Sequence, residues 1–186
     1  MMVRSLAQGD VIVAPPTMRD PRFRRSALLI SYHDLDGSLG LCINRATTHT
    51  LAEISEEVGL DIKLDFPLYW GGPVNPGTIW MLHSSEWNVD NTIDITQGWS
   101  LTSNEQMFWA VQEGDTPRYF RFFHGFCSWQ SQQLEHELAG RPPWNHNSSW
   151  LTVEQPDAEK LLEMPLEEIW QHCVNLSGQQ AVSSWL

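Results

Sequence analysis

The run Ala27-Leu28-Leu29-Ile30-Ser31-Tyr32-His33-Asp34-Leu35-Asp36-Gly37-Ser38-Leu39-Gly40-Leu41-Cys42-Ile43 decides the class of this fold. Ala27 to Tyr32 is an apolar run of strand length, and Leu39 to Ile43 is a second. Asp34-Leu35-Asp36-Gly37 between them has turn chemistry, because Asp side chains bond nearby backbone amides and Gly accepts positive φ. Two such runs around a short turn predict an antiparallel hairpin. Asp34-x-Asp36-Gly37 also opens like a calcium loop. However, the sixth position from Asp34 is Leu39, where glycine is required, and the twelfth is Arg45, where a bidentate Glu is required. The turn reading therefore prevails.

Working outward, Val11 to Ala14 is a short strand stopped by Pro15-Pro16. Thr50 and Glu53 form a capping box for a helix with Leu51, Ile54 and Val58 on one face and Gly59 at its end. Pro67 to Trp70, Thr78 to His83 and Thr92 to Ile95 read as strands. Thr102 and Glu105 suggest a second capping box, before a helix over residues 103–113. Arg118 to His124 alternates polar and aromatic residues and reads as a strand. Ser128 is expected to cap a helix from Trp129 to Ala139 closed by Gly140. A last helix starts at Pro165, buries Ile169, Cys173 and Leu176, and is expected to stop at Gly178. Strands come first and helices then interleave irregularly, so the prediction is an α+β domain with a mostly antiparallel, curled sheet.

The 186 residues are expected to form one domain over 1–186. An apolar share of 41% with 18% charged residues argues for a packed core over disorder. Ten tryptophans, Trp129 and Trp144 among them, read mainly as packing residues, each with an N–H to satisfy. A net charge of −12 repels phosphate backbones, so direct nucleic-acid binding is disfavoured despite Arg19, Arg22, Arg24 and Arg25. No apolar stretch has membrane-spanning length and residues 1–9 do not resemble a signal peptide. With an odd set of three cysteines, Cys42, Cys127 and Cys173, this favours the reducing cytoplasm over a disulfide framework.

Several segments hold residue types that carry chemistry elsewhere. Gly125-Phe126-Cys127-Ser128-Trp129 sits where a nucleophile elbow would, with His124 or His83 as a base, yet Trp129 occupies the position that needs a small residue. Cys127 reads as a buried apolar thiol with a possible reactive role as the alternative. His124-x-x-Cys127 lacks a second pair at zinc spacing, so neither a metal nor a cofactor is expected. Gly71-Gly72-Pro73 can expose amides to an anion but reads first as a sharp turn. Gln133 and Glu137 are i,i+4 neighbours able to bind jointly, whereas Glu135 lies on another face.

Taken together, these pieces resemble the YqgE/AlgH family of bacterial proteins. The carriers are Ala14-Pro15, Met18-x-Asp20-Pro21-x-Phe23-x-x-Ser26, His33 with Gly37, and Gly40-Leu41-x-x-Asn44-Arg45. Then follow Gly71-Gly72-Pro73-Val74, Leu82-His83-Ser84, Gly125-x-x-x-Trp129, Gln132-Gln133-Leu134-Glu135-x-Glu137 and Trp150-Leu151. The resemblance implies a bent sheet partly closed into a barrel and flanked by helices, and no known reaction. One branch of the family has been linked to transcriptional regulation of alginate production. Cys127, Ser128 and Gln132 depart from the family pattern, where smaller residues are usual.

Two functions follow. The first is a non-catalytic binding or regulatory module for a protein or small-molecule partner, with a candidate surface of His33, Asn44, Gly71, Gly72, Pro73, His83, Trp129, Gln133 and Glu135. The second is an undescribed hydrolase or thiol-redox enzyme. There His33 or His83 would act as base, Asn44 as donor, Glu135 as orienting group and Cys127 as an extra nucleophile. Convergence of His33, Asn44, His83 and the Gln133–Glu137 segment in one hollow would favour the enzyme.

Overall fold

A computed structural model describes residues 4–57, 59–96, 98–143 and 149–185. Val58 and Trp144 lie outside the described residues. The hairpin forms as the sequence demands, with β2 (Ala27–Asp34) and β3 (Gly37–Cys42) antiparallel. Asp34 Oδ1 accepts the amides of Asp36 at 2.8 Å and Gly37 at 3.2 Å, which fixes the turn. β1 (Val11–Val13) pairs with β2, and β10 (Leu151–Val153) covers the other side of β1.

The organising element is β9 (Phe120–Gln130). Its first half lies between β6 (Val74–His83), which is antiparallel, and β5 (Pro67–Trp70), which is parallel. Its second half leaves them and pairs with β3. The break falls at Gly125, whose φ of +70° an L side chain rarely adopts. There the backbone of Gly71-Gly72 packs directly onto β9, and a Cβ on Gly72 would stand 2.1 Å from the carbonyl carbon of Phe126. The glycines of this loop are thus required by backbone-to-backbone packing. β4 (Ala46–Thr50) extends β5, while β7 (Ile93–Thr96) and β8 (Trp99–Thr102) extend β6. The product is one curled, nearly all-antiparallel sheet forming a half-barrel, with strand order β10-β1-β2-β3-β9-β6-β8-β7.

Five helices flank it among the described residues: α1 (Leu51–Glu57), α2 (Gln106–Gln112), α3 (Gln133–Ala139), α4 (Ala158–Glu163) and α5 (Leu166–Ser183). The predicted capping box of α1 is present: Thr50 N donates to Glu53 Oε2 at 3.1 Å, and Glu53 N to Thr50 Oγ1 at 3.4 Å. α5 lays Ile169 and Cys173, both fully buried, against a core that also holds Val11, Leu29, Leu41 and Phe123. A second core under α3 joins Ile12, Leu28, Ile30, Cys42, Cys127, Trp129, Leu134 and Trp150. No described helix is long and apolar enough to cross a membrane.

Three sequence expectations are corrected. Thr102 does not cap α2. It is the buried end of β8, sharing its hydroxyl with His83 and Thr92, and α2 starts at Gln106 beneath an Asn104 side chain that accepts the Gln106 amide. Ser128 caps nothing, because β9 continues to Gln130 and only Gln132, at φ +61°, turns the chain into α3. Cys127 is therefore mid-strand, not on an elbow. Gly178 does not end α5, since the helix runs on to Ser183.

Candidate functional site

The end of β9 and the start of α3 form one wall of a cleft of about 240 Å³. Pro73 and Val74, from the glycine loop, form a second wall, and Met18, Asp20, Arg22 and Phe23 close it from the segment between β1 and β2. Trp150, leading into β10, completes the lining. The pattern of β9 explains the inward side chains. Cys127 and Trp129 alternate with exposed Ser128 and Gln130, and Gly40 on β3 leaves room for the Trp129 ring, which a Cβ there would meet at 2.9 Å.

Glu137 sits at the base of this cleft, only 7% exposed. Its Oε2 accepts the indole N–H of Trp150 at 3.0 Å and of Trp129 at 3.2 Å. Its Oε1 accepts the Gln133 side-chain amide at 2.9 Å, the i,i+4 contact foreseen on the helix. Gln133 also accepts the Gln130 amide at 3.0 Å, tying α3 to the end of β9. Two aromatic residues on different elements are thus oriented by one carboxylate. The Phe23 ring meets Trp150 edge-on, with centroids 5.8 Å apart.

At the rim Asp20 binds Arg22 through two side-chain contacts, at 2.7 and 3.1 Å, and accepts the Arg22 amide at 3.0 Å. The guanidinium hydrogen bond holds the Asp20 carboxyl below the usual carboxylate range. Arg22 also lies over Phe23, 5.5 Å from its centroid. Cys127 is 3% exposed and points its Sγ at the Gly71 carbonyl, 3.5 Å away. Burial pushes its thiol well above the ordinary range, and the neighbouring Cys42 adds to that.

Of the residues singled out from sequence, Pro73, Cys127, Trp129 and Gln133 line the cleft. Gly71 and Gly72 shape it from behind, and the Gly71 amide is already bonded to the His124 carbonyl at 2.8 Å, so it offers no anion nest. The others lie elsewhere. His33 contacts Ser38 at 2.7 Å and Glu135 at 3.4 Å beside the hairpin. Asn44 accepts the Ala27 amide and donates to the Arg25 carbonyl, each at 2.9 Å, a structural staple. His83 is fully buried, donating from Nδ1 to the Ser84 carbonyl at 2.9 Å, which leaves Nε2 to accept from Thr102 at 2.9 Å. Burial lowers its pKa. His33 meets the Gln133–Glu137 segment only at Glu135, and Asn44 and His83 are committed elsewhere, so the four do not converge on the cleft. Among the described residues no group of three or more His, Cys, Asp or Glu is placed to hold a metal ion.

Asp20, Phe23, Glu137 and Trp150 were landmarks of the resemblance, but nothing in their spacing along the chain joins them. Arg22 stood out in the sequence only as one of four clustered arginines. A broader depression of about 710 Å³ beside α1 is open acidic surface lined by Glu53, Glu56, Asp61 and Asp65, and none of the landmark side chains reaches it.

The sequence model of one family, described as DUF179, AlgH-like, matches residues 11–182. A UPF0301 protein of Xanthomonas campestris is 33% identical over 174 residues, covering 91% of this chain and 88% of its own. One from Xanthomonas oryzae is 34% identical over 175 residues with the same coverage. The solution structure of the AlgH protein from Pseudomonas aeruginosa superposes with a TM-score of 0.75 at 27% identity, over 96% of this chain and 93% of that one. A crystal structure of the protein DIP2367 from Corynebacterium diphtheriae, at 20% identity and TM-score 0.67, covers 92% of this chain and 87% of its own and shares the fold.

Proposed function

The chain belongs to the AlgH-like family, and from that premise we propose that it is a non-catalytic binding module whose ligand site is the Glu137 cleft. The observation that supports this most is the sequestered Glu137 carboxylate, held by two indole N–H groups and one amide at the base of a hollow. Hydrogen bonds from three separate side chains fix that base in position, a pre-organised arrangement of the kind recognition sites use. The family landmarks Asp20, Phe23, Pro73, Trp129, Gln133, Glu137 and Trp150 come from four separate stretches of the sequence, yet all of them line this one hollow.

A non-catalytic role fits the nucleophile inventory. The Cys127 thiol is buried, raised in pKa and bonded to a carbonyl, and among the described residues no histidine lines the cleft. At about 240 Å³ the cleft is below the roughly 300–1,000 Å³ of drug-sized sites. It suits a small molecule or one side chain of a partner protein. Three buried, unpaired cysteines fit action in the cytoplasm.

The test is a thermal-shift screen of small metabolites and amino-acid amides against the native protein and a Ser128→Trp variant. Ser128 is exposed and borders the cleft, so a Trp there crowds its mouth without entering the core. Ligands that stabilise the native protein and lose their effect in Ser128→Trp support the proposal. Ligands acting equally on both would place binding elsewhere and defeat it.

A further inference from the structure

We infer that the occupant of this cleft presents a cationic group, an ammonium or a guanidinium, to Glu137. The inference rests on the cleft being a binding site, as proposed above, and adds the chemistry of what it takes. A carboxylate that is 93% removed from solvent is costly unless an opposite charge accompanies it. Glu137 has none: among the described residues no Lys, Arg or His nitrogen is paired with it in the set of ion pairs. Its three partners are neutral N–H donors. The Trp129 and Trp150 indoles can only donate, so they orient the carboxylate without neutralising it.

The described remainder of the lining adds no net charge. Asp20 and Arg22 cancel each other at the rim through their two-point contact. Glu137 then leaves the cleft with one net negative charge, inside a chain whose formal charge is −12. An anion would meet that field unfavourably, whereas a cation is drawn in and screened from water by Phe23, Trp129 and Trp150. The protein itself repeatedly sets guanidinium groups on aromatic rings, with Arg25 4.9 Å from Trp170 and Arg45 5.4 Å from Trp70. Among the described residues Oε1 accepts one hydrogen bond, which leaves it the capacity to accept an incoming N–H.

Calorimetry with argininamide and lysinamide tests this against citrullinamide, whose side chain is the neutral isostere of the first, all three Nα-acetylated so that the side chain alone carries charge, and against succinate. Binding of at least one cation is expected, with citrullinamide and succinate at least tenfold weaker and with affinity falling as salt rises. Glu137→Gln should cost the cation at least tenfold. Asp20→Asn, which frees the rim guanidinium without touching the core, should weaken it too and serves if Glu137→Gln folds poorly. A Gly-Arg-Gly peptide distinguishes sources: binding tighter than argininamide assigns the cation to a partner protein's side chain, weaker binding to a free small molecule. Equal binding of citrullinamide, preference for succinate, or no binding of either cation overturns the cationic assignment. Screening hits that depend on an open cleft would in that case still leave the binding-module reading standing, and a screen without such hits would remove both.

Discussion

Truncating Glu137 to alanine probes how far the cleft is built around one carboxylate. Glu137→Ala leaves the indole N–H groups of Trp129 and Trp150, residues 8% and 7% exposed, without their acceptor. A buried unsatisfied donor costs about 1–3 kcal/mol, so the two together cost about 2–6 kcal/mol. Gln133 can turn to water and adds little. Entry of water into the vacated polar space lowers the figure, as does relief of carboxylate desolvation, so a net loss of about 2–4 kcal/mol is expected. Urea unfolding followed by far-UV circular dichroism measures it. Trp150→Phe keeps the ring, removes one donor and should cost about 1–2 kcal/mol. The double-mutant cycle decides, because desolvation of the carboxylate alone cancels within it. Coupling of about 1 kcal/mol or more is expected between residues sharing a hydrogen bond. Additivity within about 0.3 kcal/mol would show that the Glu137–indole bonds do not organise the site.

Three further outcomes follow from the same structure. Gly72→Ala should destabilise by about 2–3 kcal/mol, because its Cβ would stand 2.1 Å from backbone of Phe126, whereas Gly77→Ala, with nothing within 4 Å, should be near neutral in the same denaturation assay. His83 has a lowered pKa when folded, so the unfolded chain takes up its proton first as pH falls. Stability is therefore intact above the ordinary histidine range near 6.5 and declines below it, by up to about 1.4 kcal/mol per pH unit, and His83→Gln should flatten that slope. Burial raises the thiols of Cys42 to about 11 and Cys173 to about 12, and that of Cys127 as well. At pH 8 a disulfide reagent should label none of them rapidly in the native protein and all three in denaturant. Fast labelling of Cys127 in the native protein would revive the thiol reading.

What was legible in the sequence is what local chemistry decides. The Asp34–Gly37 turn and the Thr50–Glu53 box are each written in adjacent residues, and both form with the expected bonds. The errors share a cause, tertiary packing overriding a local signal. Thr102 looks like a cap but its hydroxyl is taken by the buried His83–Thr92 network. Ser128 looks like a cap but β3 pairs with that stretch and holds it extended. Gly178 does not halt α5, which gains its stability from the Ile169–Cys173 face upstream. β4, β8, β10 and α4 lack clear periodic or turn signals and were not foreseen. At the cleft, Trp129, Gln133 and Pro73 were singled out, but Asp20, Phe23 and Trp150 reach it only through the bend of β9 at Gly125 and the return of the chain through β10 beside β1. His33, Asn44 and His83 looked reactive by residue type, yet each is committed to a structural bond.

The most direct measurement is a titration of argininamide into nitrogen-labelled protein, observed at the tryptophan indole N–H resonances. The account requires the Trp129 and Trp150 signals to move together and saturably while those of Trp80 and Trp99, outside the cleft, stay fixed. Shifts at Trp80 or Trp99 with Trp129 and Trp150 unmoved would contradict it.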